Sequence, residues 1–341
     1  MIDYGKLEQI YTDKGIYALQ LEIGDTCSQA CSYCYMNALP DEKNSLSDDQ
    51  INDILRGSCE LGIVAIEWLG GEPLLRSSVF DHMAYAAELR LKNNIWTGGL
   101  PLADRSIAAN CAEYAQNGLI SIHCSTVNDK LYEKLHPGRT IKDRDDIIKG
   151  IEYLLELGYP PEQMLNSVTF TGKQPAEDMI ETMDFFYDKY SVKTSLNVYH
   201  TYLRPGMDKG ELEKFIPEES ETGKVYKHFS KQWGLKRFPM NCVNKQYCSA
   251  TAAVLCDGSV TPCATIRDSS AESIHSGISF KEIVEENIGW LTFEYMKNDK
   301  VLPEDCRKCA ITDDCWGCRS RAYAAGKGIY GKDPRCFRKV V

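Results

Sequence analysis

Three cysteines near the N-terminus have the spacing of ligands to a metal cluster. They are Cys27, Cys31 and Cys34, with three and then two residues between them. Thiolates at this spacing can bind one face of a cubane iron–sulfur cluster. Such a cluster keeps one iron without a protein ligand, so the spacing predicts a site that also takes a ligand from outside the chain. The alternatives are a zinc site completed by a distant histidine, or buried free cysteines.

The residues around these cysteines carry a family resemblance. The order Cys27-x3-Cys31-x-Tyr33-Cys34, with an aromatic residue just before the last cysteine, is similar to the signature of the radical S-adenosylmethionine (SAM) superfamily. The segment Gly70-Gly71-Glu72-Pro73 directly follows a predicted strand, where that family has its GGEP segment. Alone, the GGEP segment could be any glycine–proline turn, but the two motifs occur in the right order and on the right elements.

The resemblance implies a cofactor and a reaction. SAM would chelate the open iron through its methionyl amine and carboxylate, with the Gly70–Pro73 backbone at the amine and Tyr33 near the adenine. A cluster with an open iron binds the electron acceptor and supplies the electron in one place. Cleavage of SAM gives methionine and a 5′-deoxyadenosyl radical, which can abstract hydrogen from an unactivated C–H bond. A low-potential electron donor, flavodoxin or ferredoxin, is then an expected partner.

A second set of cysteines lies in the last hundred residues. Its eight members are Cys242, Cys248, Cys263, Cys306, Cys309, Cys315, Cys318 and Cys336. Taken alone, two CxxC pairs also fit structural zinc sites. Behind a radical SAM core the arrangement instead resembles the SPASM extension, whose members carry two auxiliary [4Fe–4S] clusters. The expected cofactors are therefore SAM and three [4Fe–4S] clusters.

The SPASM resemblance also implies an assignment of ligands. Auxiliary cluster I would be held by Cys242, Cys248, Cys263 and Cys318. Auxiliary cluster II would be held by Cys306, Cys309, Cys315 and Cys336. Many family members have three residues where this chain has only Trp316-Gly317, which leaves the division between Cys315 and Cys318 open. The remaining cysteines are interpreted as buried small hydrophobes: Cys59, Cys111, Cys124 and Cys256.

Elements that could position these residues alternate along the first two-thirds of the chain. About six strand–helix units predict a parallel sheet with helices outside, and right-handed crossovers curl such a sheet. The predicted fold is α/β, a partial (β/α)6 barrel followed by a Cys-rich, cluster-binding SPASM domain. The predicted divisions are a barrel over 1–206, a connecting segment over 207–240 and the SPASM domain over 241–341.

Strand alternation predicts which side chains line the barrel. Ile120 and Ile122 should pack on the helices, so Ser121 and His123 face the interior, and Asn197 does so on the sixth strand. In the family, the counterpart of Ser121 lies close to SAM. Asn197 is a further candidate for cofactor binding. His123 is a candidate acid or base, because histidine titrates near neutral pH.

Composition excludes several function classes. The net charge of −10 argues against binding to nucleic acid. No apolar run is long enough to cross a membrane, and the N-terminus has no signal-like core, so a cytoplasmic protein is expected. Fifteen cysteines in 341 residues are more than disulfide stapling of a chain this long requires.

Three functions compete at this point. The leading hypothesis is oxidative modification of a peptide, in anaerobic conditions, because SPASM proteins most often modify ribosomally made peptides. No domain of about 80 residues precedes the core, so no fused leader-peptide reader is expected, and a separate leader-peptide-binding protein could replace it. The first alternative is modification of a cofactor precursor, as in haem, haem d1 and pyrroloquinoline quinone (PQQ) pathways, which the Gly317–Cys336 tail resembles. The second is a non-enzymatic iron–sulfur electron carrier, which would need neither Tyr33 nor a GGEP segment.

Overall fold

The computed structural model describes residues 2–41, 43–199, 208–234 and 244–336. One sheet runs through the chain. Its strands are β1 (Ala18–Glu22), β2 (Ala65–Leu69), β3 (Lys92–Thr97), β4 (Leu119–Ile122), β5 (Met164–Phe170), β6 (Lys193–Val198), β7 (Thr251–Val254) and β8 (Val260–Thr261). Strands β1 to β6 lie side by side in chain order and are all parallel. The predicted α/β fold with a parallel sheet is confirmed.

Helices connect and cover these strands. They are α1 (Tyr4–Thr12), α2 (Asp48–Glu60), α3 (Val79–Glu88), α4 (Arg105–Tyr114), α5 (Asp129–Leu135), α6 (Ile141–Glu156), α7 (Ala176–Tyr190), α8 (Lys209–Glu213), α9 (Glu219–Gln232), α10 (Lys245–Cys248), α11 (Phe280–Leu291), α12 (Glu304–Arg307) and α13 (Arg319–Ala322). The start of α2 follows from a capping box, in which Ser47 and Gln50 satisfy each other's backbone N–H groups. None of the described helices combines the length and the hydrophobicity that a bilayer crossing requires.

The main core lies between the sheet and its helices. Ile95, Ile120 and Ile122 are fully buried there, together with Ile147 and Ile151 of α6. Since successive strand residues point to opposite faces, the residues between these isoleucines face the other side of the sheet. Ser121 and Trp96, which pair across β3 and β4, therefore line the barrel interior, as does the strand-end residue His123 beyond them.

The C-terminal part of the chain extends the same sheet. Strand β7 pairs in parallel with β1, and β8 adds an antiparallel edge. The segment predicted as a connection contains α9, whose Val225, Tyr226 and Phe229 pack against β5, β6 and α7. A small apolar cluster around Phe293 and Trp316 supports the Cys-rich region, which thus has a core of its own.

Candidate functional site

The three N-terminal cysteines lie on the loop that leaves the carboxyl end of β1. All three are half-buried. The Cys34 N–H donates to the Cys31 carbonyl over 3.1 Å, which closes a turn around Tyr33. The Cys31 thiol is within electrostatic range of both Cys34 and Cys27, so the structure brings the three sulfurs together. Among the described cysteines none forms a disulfide.

The chemistry of these thiols fits an iron cluster. Burial raises the pKa of the Cys27 thiol to about 12 and raises that of Cys31 well above its usual value. Both are therefore protonated at neutral pH without metal, and iron binding would have to displace the protons. Three converging, half-buried thiols can hold three irons of a cubane and leave the fourth accessible.

The GGEP turn (Gly70–Pro73) lies against the start of the loop that carries Cys27, Cys31 and Cys34, here called the cysteine loop. The Gly71 N–H donates to the Gly24 carbonyl over 2.9 Å, and the Glu72 N–H donates to the Thr26 carbonyl over 2.7 Å. A Cβ at Gly70 would lie 2.4 Å from the Gly24 oxygen, and one at Gly71 would lie 2.2 Å from the Thr26 oxygen. Glycine is therefore required for this close approach, while carbonyl oxygens of the turn can still accept hydrogen bonds from an amine.

Glu72 holds the turn rather than pointing into the barrel. Its carboxylate accepts from the Thr97 hydroxyl over 2.9 Å, from the Gly98 N–H over 2.7 Å and from the Leu74 N–H over 3.1 Å. Burial raises the pKa of Glu72 to about 7. Pro73 is buried and begins a short 3₁₀ turn directly after it.

Gln29 is a site residue that the cysteine spacing does not reveal. It lies inside the cysteine loop, and its side-chain amide donates to the carbonyls of Gly98 and His123, each over 3.0 Å. It thereby ties the loop to the carboxyl ends of β3 and β4. No sequence pattern points to it, because its partners are 69 and 94 residues away.

The predicted interior residues lie at different depths of the barrel wall. Ser121 is 1% exposed, and its hydroxyl has no hydrogen-bond partner among the described residues. Asn197 is half-buried and pairs with Thr169 of β5. His123 follows β4 at the level of the cysteine loop, where its Nε2 contacts the Tyr33 hydroxyl at 2.7 Å. Ser121 and His123 thus share one face with the cysteine loop above them.

The C-terminal cysteines form two groups in the described part of the chain. The Cys248 thiol is within electrostatic range of Cys318 and Cys263, and more weakly of Cys315. The Cys306 thiol is within range of Cys336 and Cys309, and the Cys315 thiol within range of Cys336 and Cys306. Cys242 lies outside the described residues. Of the four cysteines interpreted as buried, Cys111, Cys124 and Cys256 are buried, whereas Cys59 is exposed in the last turn of α2.

A buried ion pair lies between the two groups. Arg321 donates to both carboxylate oxygens of Asp333, over 2.9 and 2.7 Å. The same carboxylate accepts the Cys318 N–H over 2.8 Å and the Arg335 N–H over 2.9 Å. Gly317 has φ +68°, and a Cβ there would lie 2.8 Å from the Asp333 Cβ. Asp333 therefore connects Cys318 to the segment that precedes Cys336, the last cysteine.

Glu22 links the two cysteine-bearing regions. It is fully buried at the end of β1 and accepts from the Tyr35 hydroxyl over 2.9 Å, directly after the cysteine loop. Arg267, four residues after Cys263, donates to both of its oxygens, over 2.8 and 2.9 Å. The two regions are thus joined through one carboxylate beside the barrel interior.

Comparison with known proteins identifies the family of this domain. Residues 21–186 match the family model described as "Radical SAM superfamily", so this part of the chain is a radical SAM domain. Over 95% of its length the fold resembles "Native anSMEcpe with bound AdoMet and Cp18Cys peptide", with a TM-score of 0.70, 16% identity and 94% coverage of that chain. At this identity the likeness shows the fold alone.

The curated relatives correct the predicted substrate. A probable GTP 3′,8-cyclase of Methanosarcina mazei is 24% identical over 282 residues, which are 76% of this chain and 82% of that protein. Molybdenum cofactor biosynthesis protein 1 of Bos taurus is 26% identical over 226 residues, 61% of this chain and 35% of that protein. The leading hypothesis of a peptide substrate is wrong, because these names refer to GTP and to a cofactor pathway.

Proposed function

We propose that this radical SAM enzyme modifies a small-molecule precursor of a cofactor and that its C-terminal region is a SPASM-type domain with two auxiliary clusters. The observation that supports the substrate class most directly is the naming of the relatives, one of which the chain matches over 82% of its length. GTP is therefore the first compound to test.

Within this proposal the cysteine loop and the GGEP turn share the binding of the cofactors. Cys27, Cys31 and Cys34 hold the first cluster, which fits their convergence and their burial. Carbonyl oxygens of Gly70–Pro73 accept hydrogen bonds from the amine of SAM. Ser121 and Asn197 contact SAM from the barrel wall. When bound, the cluster and SAM supply one electron and the 5′-deoxyadenosyl radical.

The C-terminal cysteines hold the auxiliary clusters in this proposal. Cluster I is held by Cys242, Cys248, Cys263 and Cys318. The electrostatic contact among the three of these thiols that the structure describes supports this assignment. The ligands of cluster II are Cys306, Cys309, Cys315 and Cys336. An auxiliary cluster can accept the electron that remains after hydrogen abstraction, and flavodoxin or ferredoxin is the proposed donor to the first cluster.

Isotope transfer tests the substrate. Reconstituted protein is incubated anaerobically with dithionite, SAM and GTP deuterated at the 3′ position, the position named in the relatives' activity. We expect GTP to stimulate 5′-deoxyadenosine formation and deuterium to appear in that product. Cys31→Ala protein is the control and should give neither signal.

If GTP is not the substrate, other cofactor precursors are tested in the same assay. If SAM is cleaved but GTP neither stimulates cleavage nor transfers deuterium, GTP is excluded, and precursors of haem, haem d1 and PQQ enter the same assay. If none of these small molecules stimulates 5′-deoxyadenosine formation above the substrate-free rate, the proposed substrate class is overturned.

A further inference from the structure

Tyr33 is held by a hydrogen bond at its far end. Although it lies in the cysteine loop, it is only 4% exposed. Its hydroxyl lies 2.7 Å from His123 Nε2, and the two rings meet edge to face with centroids 5.8 Å apart.

The other side of the His123 ring fixes its tautomer. Nδ1 lies 2.5 Å from the Ser167 carbonyl oxygen, which can only accept a hydrogen bond. Nδ1 therefore carries the hydrogen, and Nε2 offers its lone pair to Tyr33. Both ring nitrogens are engaged, so neither is free to exchange a proton with a substrate.

A second histidine, His136, is hydrogen-bonded to the same loop at Gln29. His136 Nδ1 donates to the Gln29 carbonyl over 3.1 Å, and its Nε2 accepts from the Ser125 hydroxyl over 2.7 Å. The His136 ring also meets Tyr33 edge to face at 6.0 Å. The loop is thus fixed at Gln29 and at Tyr33 by side chains that follow β4.

These contacts also decide between two roles for the histidines. Ligand atoms of Cys31, His123 and His136 all lie within 4.8 Å of one another, a spacing that could hold a metal ion. All four imidazole nitrogens, however, already have hydrogen-bond partners. The arrangement therefore favours support of the loop over metal binding by the imidazoles.

We infer that His123 is a positioning residue: by accepting the Tyr33 hydroxyl it fixes the segment from Cys31 to Cys34 in the orientation that SAM binding requires. The inference concerns SAM and the cysteine loop. It is independent of the identity of the substrate and can be tested without one.

A double-mutant cycle tests the inference. Tyr33→Phe removes the donor, His123→Leu removes the acceptor, and His123→Gln keeps an acceptor near the Nε2 position. For each reconstituted variant the dissociation constant for SAM is measured from the change in the electron paramagnetic resonance signal of the reduced cluster. We expect about a 3- to 10-fold weaker affinity for Tyr33→Phe, for His123→Leu and for the double variant alike, since one hydrogen bond is lost in each. His123→Gln should stay near wild type.

A matched control is available in the same cluster of rings. Tyr132 is fully buried and stacks on His136 at 4.5 Å, but its hydroxyl has no partner among the described residues. Tyr132→Phe should therefore leave the SAM affinity unchanged. Iron content and thermal midpoints are recorded for every variant.

Three outcomes would overturn the inference. One is unchanged SAM affinity in iron-replete His123→Leu protein, which would leave only a structural role. Another is a loss of SAM affinity in the His123→Leu variant that does not occur in the Tyr33→Phe variant. The third is that the losses of the two single variants add in the double variant, which would mean that the residues act separately.

Discussion

Single buried side chains hold the strand ends of the candidate site together. Glu72, 5% exposed, accepts three hydrogen bonds and so joins the GGEP turn to the end of β3. Gly98, one of its partners, in turn accepts from Gln29 of the cysteine loop. The resemblance implies that the Gly70–Pro73 backbone contacts the amine of SAM, and the Glu72 carboxylate supports this turn through its hydrogen bonds to the chain.

Glu72→Gln tests this supporting role. The amide nitrogen replaces an acceptor with a donor beside the Gly98 N–H or the Thr97 hydroxyl, so we expect a loss of about 1–3 kcal/mol in the free energy of unfolding. The measurement is anaerobic denaturation of the reconstituted protein. Glu88→Gln, at the exposed end of α3, is the matched control and should change stability by less than about 0.5 kcal/mol. Equal stability of the two variants would contradict the role.

The same pair of proteins gives a pH dependence with a definite sign. Because burial raises the pKa of Glu72 from 4.5 to about 7, the folded state binds more protons than the unfolded state between these values. This contribution to stability is present at low pH and is lost as pH rises through that window. The thermal midpoint of wild type should therefore exceed that of Glu72→Gln by more at pH 5.5 than at pH 8. A difference that does not change between pH 5.5 and pH 8 would show that the carboxyl is ionised throughout and would contradict the raised pKa.

At the scale of elements, the Cys-rich region is held by an ion pair as well as by its expected metal. Arg321 and Asp333 are 6% and 3% exposed, and their contact joins α13 to the segment that ends at Cys336. The Asp333 carboxylate also accepts two backbone N–H groups, those of Cys318 and Arg335, and so fixes the backbone beside the cysteines.

Asp333→Asn should therefore weaken this region strongly. Loss of one partner of a buried pair leaves the guanidinium uncompensated, which costs about 3–5 kcal/mol. If three cubane clusters are present, iron should fall from about 12 to about 8 atoms per chain as the cluster at Cys336 is lost. Asp305→Asn removes a carboxylate that is 67% exposed and pairs with Lys332, so it should keep full iron. Retention of all iron in a fully stable Asp333→Asn protein would show that the ion pair is dispensable.

Sequence patterns predicted the alternating strand–helix units. They did not predict elements whose place depends on contacts between residues far apart in the sequence. Period-2 alternation placed Ser121 and His123 on the interior face, because Ile120 and Ile122 required the helix side. The pairing of β7 with β1 was not predicted, since it joins residues more than 200 positions apart. Nor was α9 recognised as an element that packs on the barrel, because its apolar positions are few among charged residues.

The contacts that position the site escaped prediction for a related reason. Cys27, Cys31 and Cys34 are recognisable from spacing alone, and Gly70 and Gly71 from their place after a strand. Hydrogen bonds such as that of Tyr33 with His123 join loops 90 residues apart and leave no periodic trace in the sequence. The candidate ligands could therefore be recognised in the sequence, whereas the side chains that orient them required the folded chain.

At the scale of the whole molecule, the barrel and the Cys-rich region form one continuous sheet. Glu22 joins the cysteine loop to the segment after Cys263 at the mouth of the barrel.

The central claim is that the cysteine loop binds the cluster that cleaves SAM. The most direct measurement is 5′-deoxyadenosine formed by reconstituted protein with SAM and dithionite under anaerobic conditions, compared between wild type and Cys31→Ala. We expect wild type to form the product and folded Cys31→Ala protein to form none, since the loss of one of only three ligands should destroy the cluster. Circular dichroism and gel filtration establish that the variant is folded. Product formation by folded Cys31→Ala protein would contradict the account.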